Sequence, residues 1–213
     1  MMRFKNILCV FEGGEICQET LARAVALAEQ SQGKLMVIAV TEPFSKRIGK
    51  KQSEPASVDP LILETLVEPY RDQVEIQTKV MISKPLPGIV REVMENGHDL
   101  VIKRPVSRFG MKQFLSNTDW LLFSKCRCPV WFNELSPSRS SQNILAVVDV
   151  SDECFPAELT LRKELNRQIL EMASSMALTE NGQLHIMQAW HLFGESALRS
   201  GFIRMPEEKI LTS

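Results

Sequence analysis

The motif Asn-Ile-Leu-x-Val occurs twice, at Asn6–Val10 and Asn143–Val147, and each copy opens the same succession of elements. In the first copy, Lys5 to Phe11 is a short apolar run the size of a buried strand. Gly13-Gly14 interrupts it. Leu21, Ala24, Val25 and Ala28 then fall on one helical face, and Gly33 supplies a helix stop. Lys34 to Val40, with Leu-Met-Val-Ile-Ala-Val at its centre, is a second buried strand. Strand, helix and strand in this order make a βαβ unit, which forms a parallel sheet through a right-handed crossover.

The pattern continues to residue 133. Residues 42–57 hold Pro43, Gly49 and Pro55 with three Lys and three Ser, the composition of a polar loop. A helix is expected from about Asp59 to Tyr70, with Pro60 in its first turn. Val74 to Val80 alternates apolar and polar residues, as a half-exposed, edge-like strand does. Pro85 and Pro87 open a helix with Ile89, Val90, Val93 and Met94 on one side and Gly97 at its end. Leu100-Val101-Ile102 is a strand, Leu115 to Ser124 a helix, and Pro129 to Phe132 a last strand.

The fold class is therefore α/β: an open five-stranded parallel sheet with helices on both faces, plus a partial second βαβ repeat. Residues 1–133 form the complete domain, 134–142 (Glu-Leu-Ser-Pro-Ser-Arg-Ser-Ser-Gln) a linker, and 143–213 a truncated second repeat. Gly182-Gln183-Leu184 in that repeat echoes Gly33-Lys34-Leu35. A two-strand fragment cannot cover both sheet faces, so its apolar surface needs a host.

Hydrophobic residues make up 44% of the chain and charged residues 24%, which argues against disorder. With 25 Lys and Arg against 26 Asp and Glu, the net charge is −1, not the basic footprint of a general nucleic-acid binder. No apolar run reaches the ~20 residues of a membrane span, and Met1-Met2-Arg3-Phe4-Lys5-Asn6 shows no signal-peptide pattern, so a cytoplasmic location is expected. Cys9, Cys17, Cys126, Cys128 and Cys154 lack zinc-site spacing. The leading reading is reduced thiols used in packing, with a redox or metal role as the alternative. His98, His185 and His191 are scattered, and no metal site is expected.

The segments Asn6-Ile7-Leu8, Gly97 to Lys103, Thr118 to Leu122 and Lys125 to Trp131 resemble the universal stress protein family, and in particular its tandem members, in which two such domains share one chain. Many members bind ATP, and the resemblance implies a phosphate loop of the form Gly-x-x-Gly-(x)9-Gly-Ser/Thr after the fourth strand. Such a loop converges backbone N–H groups on phosphate oxygens, which needs positive φ angles and no Cβ in the way. Counted back from Cys128-Pro129-Val130, the three glycine places fall on Lys103, Val106 and Ser116, and the Ser/Thr place on Asn117. Pro105 has no N–H to donate. The Asp that ATP-binding relatives carry after the first strand is replaced by Glu12-Gly13-Gly14. The second repeat keeps Asp149 and Ser151 there, but its phosphate loop is absent. No cofactor is expected, and neither is ATP.

Lys103, Arg104, Arg108 and Lys112 make a basic cluster outside the carboxyl end of a parallel strand, where open α/β sheets take ligands. A solvated loop rim is the leading reading and anion binding by side chains the alternative. Any ligand would meet Glu12, Gly13, Val40, Arg104, Arg108, Lys112 and Asn117. Glu12, Glu15 and Asp119 have no spacing that argues for acid/base work, and Asp119 would lie in a first helical turn capped by Asn117 or Thr118. Ser107, Ser116 and Ser151 lack a nucleophile elbow. No catalytic residue is expected. Pro129, Val130, Trp131 and Phe132 form the last strand, which in family members pairs with the same strand of a neighbour. A homodimer or another protein partner is therefore expected, with no nucleic-acid partner.

Overall fold

The first apolar run forms strand β1, Asn6–Glu12, and the second forms β2, Lys34–Thr41, paired in parallel from Asn6 with Lys34 to Glu12 with Val40. Helix α1, Gln18–Ser31, joins them and buries Leu21, Ala24, Val25 and Ala28. The computed structural model describes residues 4–42, 58–105, 116–133, 143–150, 156–179 and 181–188. The chain divides into two compact units between Pro137 and Ser138.

In the first unit, α2 (Pro60–Val67) ends in a 3-10 turn, Glu68–Tyr70. The Asp59 side chain caps α2 by accepting from the Leu61 N–H at 2.9 Å, and Pro60 takes the first turn, where its missing N–H costs nothing. Strand β3 (Glu75–Ile82) follows, then α3 (Pro85–Asn96), β4 (Leu100–Lys103), α4 (Asn117–Lys125) and β5 (Val130–Phe132). The sheet order is β3-β2-β1-β4-β5, and every pairing is parallel. The alternating strand β3 lies at an edge, as its pattern requires. The polar 42–57 loop falls, apart from Glu42, outside the described residues.

Side chains alternate across the central strands. Leu8, Val10, Ile38, Val40 and Val101 pack with Ile89 and Val93 of α3 and Leu122 of α4. Ile7, Cys9, Val37 and Ala39, of opposite parity, are equally buried, and α1 packs along β1 and β2. On α3, Ile89 and Val93 are buried and Val90 packs against the same core, but Met94 is exposed, whereas Glu92 is buried.

Glu92 is tolerated inside because it is fully engaged. It accepts from Lys79 Nζ and Asn96 Nδ2, each at 2.7 Å. His98 Nε2 stands 3.8 Å from the same carboxylate, and neither ring nitrogen has a hydrogen-bond partner among the described residues. Next to it, Asp99 ties the start of β4 to that of β1, accepting from Lys5 N at 2.7 Å and Asn6 N at 3.1 Å. Burial pushes the His98 pKa down, against the opposing pull of Glu92, a backbone contact at Asn6, and Asp99. The unfolded chain therefore binds a proton here more readily than the folded one. Stability is fully present above the ordinary imidazole pKa and falls as pH drops through the folded value. Melting temperature should decline between neutral and mildly acid pH, and His98→Leu should flatten that decline. An unchanged slope in the variant would place the acid sensitivity elsewhere.

The second unit holds β6 (Asn143–Val148), α5 (Pro156–Thr179) and β7 (Gln183–Gln188), with β6 and β7 parallel. Ala146 and Val148 are buried, while Leu145, Val147, Ile186 and Met187 are exposed. His185 lies on the sheet, with Nε2 3.2 Å from Asn143 Oδ1.

Candidate functional site

Strand order reverses at β1, whose neighbours β2 and β4 lie on opposite sides, so the carboxyl ends of β1 and β4 bracket the switch-point crevice of an open α/β sheet. β1 delivers Glu12 there and β4 delivers Lys103. Gly13 follows at φ +65°, the left-handed conformation that glycine adopts without strain, and its N–H reaches the Val40 carbonyl at 3.2 Å. The third contributor is the first turn of α4.

Lys103 is not part of an exposed basic rim. Its side chain is 1% exposed, and Nζ donates to Glu12 Oε1 and Asp119 Oδ1, both at 2.6 Å. Asp119 is fully buried. The cap of α4 is Ser116, not Asn117 or Thr118. Its Oγ accepts from the Asp119 N–H at 3.1 Å and donates to Asp119 Oδ2 at 2.8 Å. Two carboxylates face one ammonium, and the N-terminal end of α4 adds positive potential beside Asp119. The Phe132 ring lies 5.9 Å from Nζ. The Lys103 carbonyl accepts from Asn133 N at 2.8 Å, and Asn133 Nδ2 donates to Thr20 Oγ1 of α1 at 3.1 Å.

A buried ammonium is stable only when its protons are matched by good acceptors. This site supplies two of them, Glu12 from β1 and Asp119 from α4, so an internal ion-pair network lies at the carboxyl ends of β1 and β4. Sequence reasoning missed it. The available signal was a lysine closing an otherwise apolar strand, with a carboxylate in the first turn of the helix that follows.

The remaining site residues separate. Val40 is buried in the core and offers the crevice only its backbone. Arg104 and Asn117 are exposed. Val106, Ser107, Arg108 and Lys112 lie outside the described residues, as does Ser151. Asp149 is bound to α5: Arg162 Nη1 is 3.0 Å from Oδ2, and Asn166 bonds its backbone N–H at 3.1 Å and its carbonyl at 2.6 Å. Val130 to Phe132 are half-buried in the terminal strand, and Arg23 stacks over Trp131 at 5.3 Å.

The model of the Universal stress protein family matches residues 3–132. The chain belongs to the universal stress protein family. It is 27% identical over 202 residues to Universal stress protein E of Escherichia coli K12, covering 89% of this chain and 63% of that one. A Haemophilus influenzae homolog of Universal stress protein E is also 27% identical, over 206 residues, covering 89% and 65%. The chain thus spans less than two thirds of the length of these relatives. Two Pseudomonas aeruginosa crystal structures share the fold: one from strain UCBPP-PA14 that carries the family's name, and a functionally unknown protein from strain PAO1. Their TM-scores are 0.68 and 0.67 at 22% identity, covering 92% and 93% of this chain and 66% of each of theirs. Among the described residues of this universal stress protein, no helix is long and apolar enough to cross a membrane.

Proposed function

We propose that this universal stress protein acts in the cytoplasm by associating with a second copy of itself, without catalysis, and that its first domain does not take a nucleotide. The observation that carries the reading is the Lys103 ammonium, 2.6 Å from Glu12 and from Asp119, standing where a phosphate loop would begin. In this reading residues 1–133 are the complete domain, 134–142 the linker and 143–213 a partial second repeat, whose β6-α5-β7 order repeats β1-α1-β2. Arg104 and Asn117, both exposed, then belong to a solvated rim around a crevice that is closed from within.

Association is supported by the sheet edge. Val101 N donates to Pro129 O at 3.0 Å, and Asn133 N to Lys103 O at 2.8 Å. In a parallel ladder alternate residues face one partner. The backbone of 129, 131 and 133 therefore faces β4, and that of Val130 and Phe132 faces outward. On the adjacent α4, Trp120 is 60% and Phe123 56% exposed, with their rings stacked at 5.9 Å. An edge strand and a pair of exposed aromatic rings are each surfaces of the kind that protein pairing covers.

Light scattering at micromolar concentration should return a dimer. Val130→Pro removes one outward N–H without touching the β4 ladder, and should weaken the dimer by at least about tenfold. Val130→Thr keeps the N–H and should keep the dimer. A monomeric wild type would overturn the association reading. Separately, a melting temperature that climbs with added ATP-Mg would overturn the closed crevice.

A further inference from the structure

Between α4 and β5 the chain places two thiols side by side. Cys126 follows α4 in extended backbone, φ −69° and ψ 138°, and its Sγ lies 3.6 Å from Cys128 Sγ. Both residues are free thiols and half-exposed, packing in part against the core that α3 and α4 cover. We propose that Cys126 and Cys128 form a peroxide-reactive dithiol, in which Cys126 is the attacking thiol and Cys128 the resolving one, closing to a disulfide.

The other described thiols show why this pair is distinct. Cys9 is fully buried, and burial pushes it up to about 12, where almost no thiolate exists. Cys17 is buried and accepts from Thr20 Oγ1 at 3.1 Å, a packing role. Cys126 goes the other way, down to about 6. Its contact with Cys128 Sγ, in which either sulfur can donate, is the largest cause, and the Cys128 and Arg127 backbone N–H groups add to that pull, together outweighing burial. Cys128 is pushed up, first by this hydrogen bond, then by burial and by the negative charge of Cys126 and Asp99. Two sulfurs this close can share one proton, so that one carries the charge while the other stays protonated, the division of labour that two-step oxidation needs.

The chemistry balances with a hydroperoxide as oxidant. The Cys126 thiolate attacks the outer oxygen of ROOH. An S–O bond forms, the O–O bond breaks, and the leaving alkoxide takes up a proton as ROH. Cys128 sulfur then attacks Cys126 sulfur. An S–S bond forms, the S–O bond breaks, and hydroxide leaves with the Cys128 proton as water. Two thiols and one hydroperoxide give one disulfide, ROH and water. The sulfurs must close from 3.6 Å to a bond length of about 2 Å. That movement is within reach of side-chain rotation on a three-residue segment.

The test uses the full chain, reduced and then exposed to stoichiometric hydrogen peroxide at neutral pH. Two of its five thiols should be lost. Intact mass should fall by two hydrogens, peptide mapping should join Cys126 to Cys128, and dithiothreitol should reverse the change. Cys126→Ser should slow thiol loss at least about tenfold. Cys128→Ser should leave Cys126 as a sulfenic acid that dimedone traps. Between pH 7.5 and pH 5 the wild-type rate should fall about tenfold, following the Cys126 thiolate. Oxidation that maps to Cys154 or to any other pair would overturn the proposal, as would a Cys126→Ser variant that reacts at the wild-type rate.

Discussion

Lys103→Met should destabilise the Arg3–Pro137 unit by about 3–5 kcal/mol, lowering its melting temperature by roughly 10–20 °C. Methionine matches the length of the lysine stem and fills the same apolar channel, so packing is largely kept. The ammonium is what disappears. Asp119, fully buried, and Glu12, with its side chain 10% exposed, would be left facing each other across the space it occupied. The cost is therefore dominated by two carboxylates stranded out of water, not by the loss of an attraction. The triple variant Lys103→Met, Glu12→Gln, Asp119→Asn removes those charges and should recover most of the loss. Differential scanning calorimetry on the single and triple variants decides the matter. A single variant that melts within about 2 °C of wild type would mean that the network does not hold the crevice closed.

The sequence made the scaffold legible because the scaffold is written in local patterns. Strand length, the Leu21/Ala24/Val25/Ala28 face and the placement of Pro60 are each set by residues within one element, and each appears in the structure. The Lys103 network depends on three residues separated by up to 107 positions, from Glu12 to Asp119, and only the sheet order brings them together. A charged residue at the end of a strand is read as solvent-exposed by default. That default was wrong here because β4 ends between β1 and β5, where Glu12 and the Asp119 of α4 meet the ammonium. α3 repeats the lesson at smaller scale. Periodicity placed Met94 inside, but Lys79 and Asn96 supply Glu92 with partners that sequence spacing does not reveal.

The same distinction between local signal and long-range contact decides Gly33. Sequence reasoning made it the helix stop, where glycine would serve as the left-handed residue. The left-handed residue is instead Gln32, at φ 51°, with the Gly33 N–H returning to the Ala28 carbonyl at 2.9 Å. Gly33 is needed for a different reason. A Cβ there would lie 2.6 Å from the Phe4 carbonyl oxygen and 3.1 Å from both Lys5 Cα and the Lys5 carbonyl oxygen. All three are backbone atoms at the entrance to β1. They are held by the Lys34 N–H to Lys5 carbonyl bond at 2.9 Å and by the Asn6–Lys34 register, so they cannot yield without prising the central strands apart. Gly33→Ala should therefore cost about 2–3 kcal/mol despite adding a single methyl group. Gln32→Gly, one residue earlier, should be neutral or stabilising by up to about 1 kcal/mol, because it relieves a non-glycine left-handed conformation. Urea denaturation of the two variants separates the mechanisms. A helix stop at Gly33 predicts no gain from Gln32→Gly, whereas close strand approach predicts a large loss at 33 beside no loss at 32. A Gly33→Ala variant as stable as wild type would show that β1 and β2 tolerate a wider spacing at their amino ends than this geometry permits.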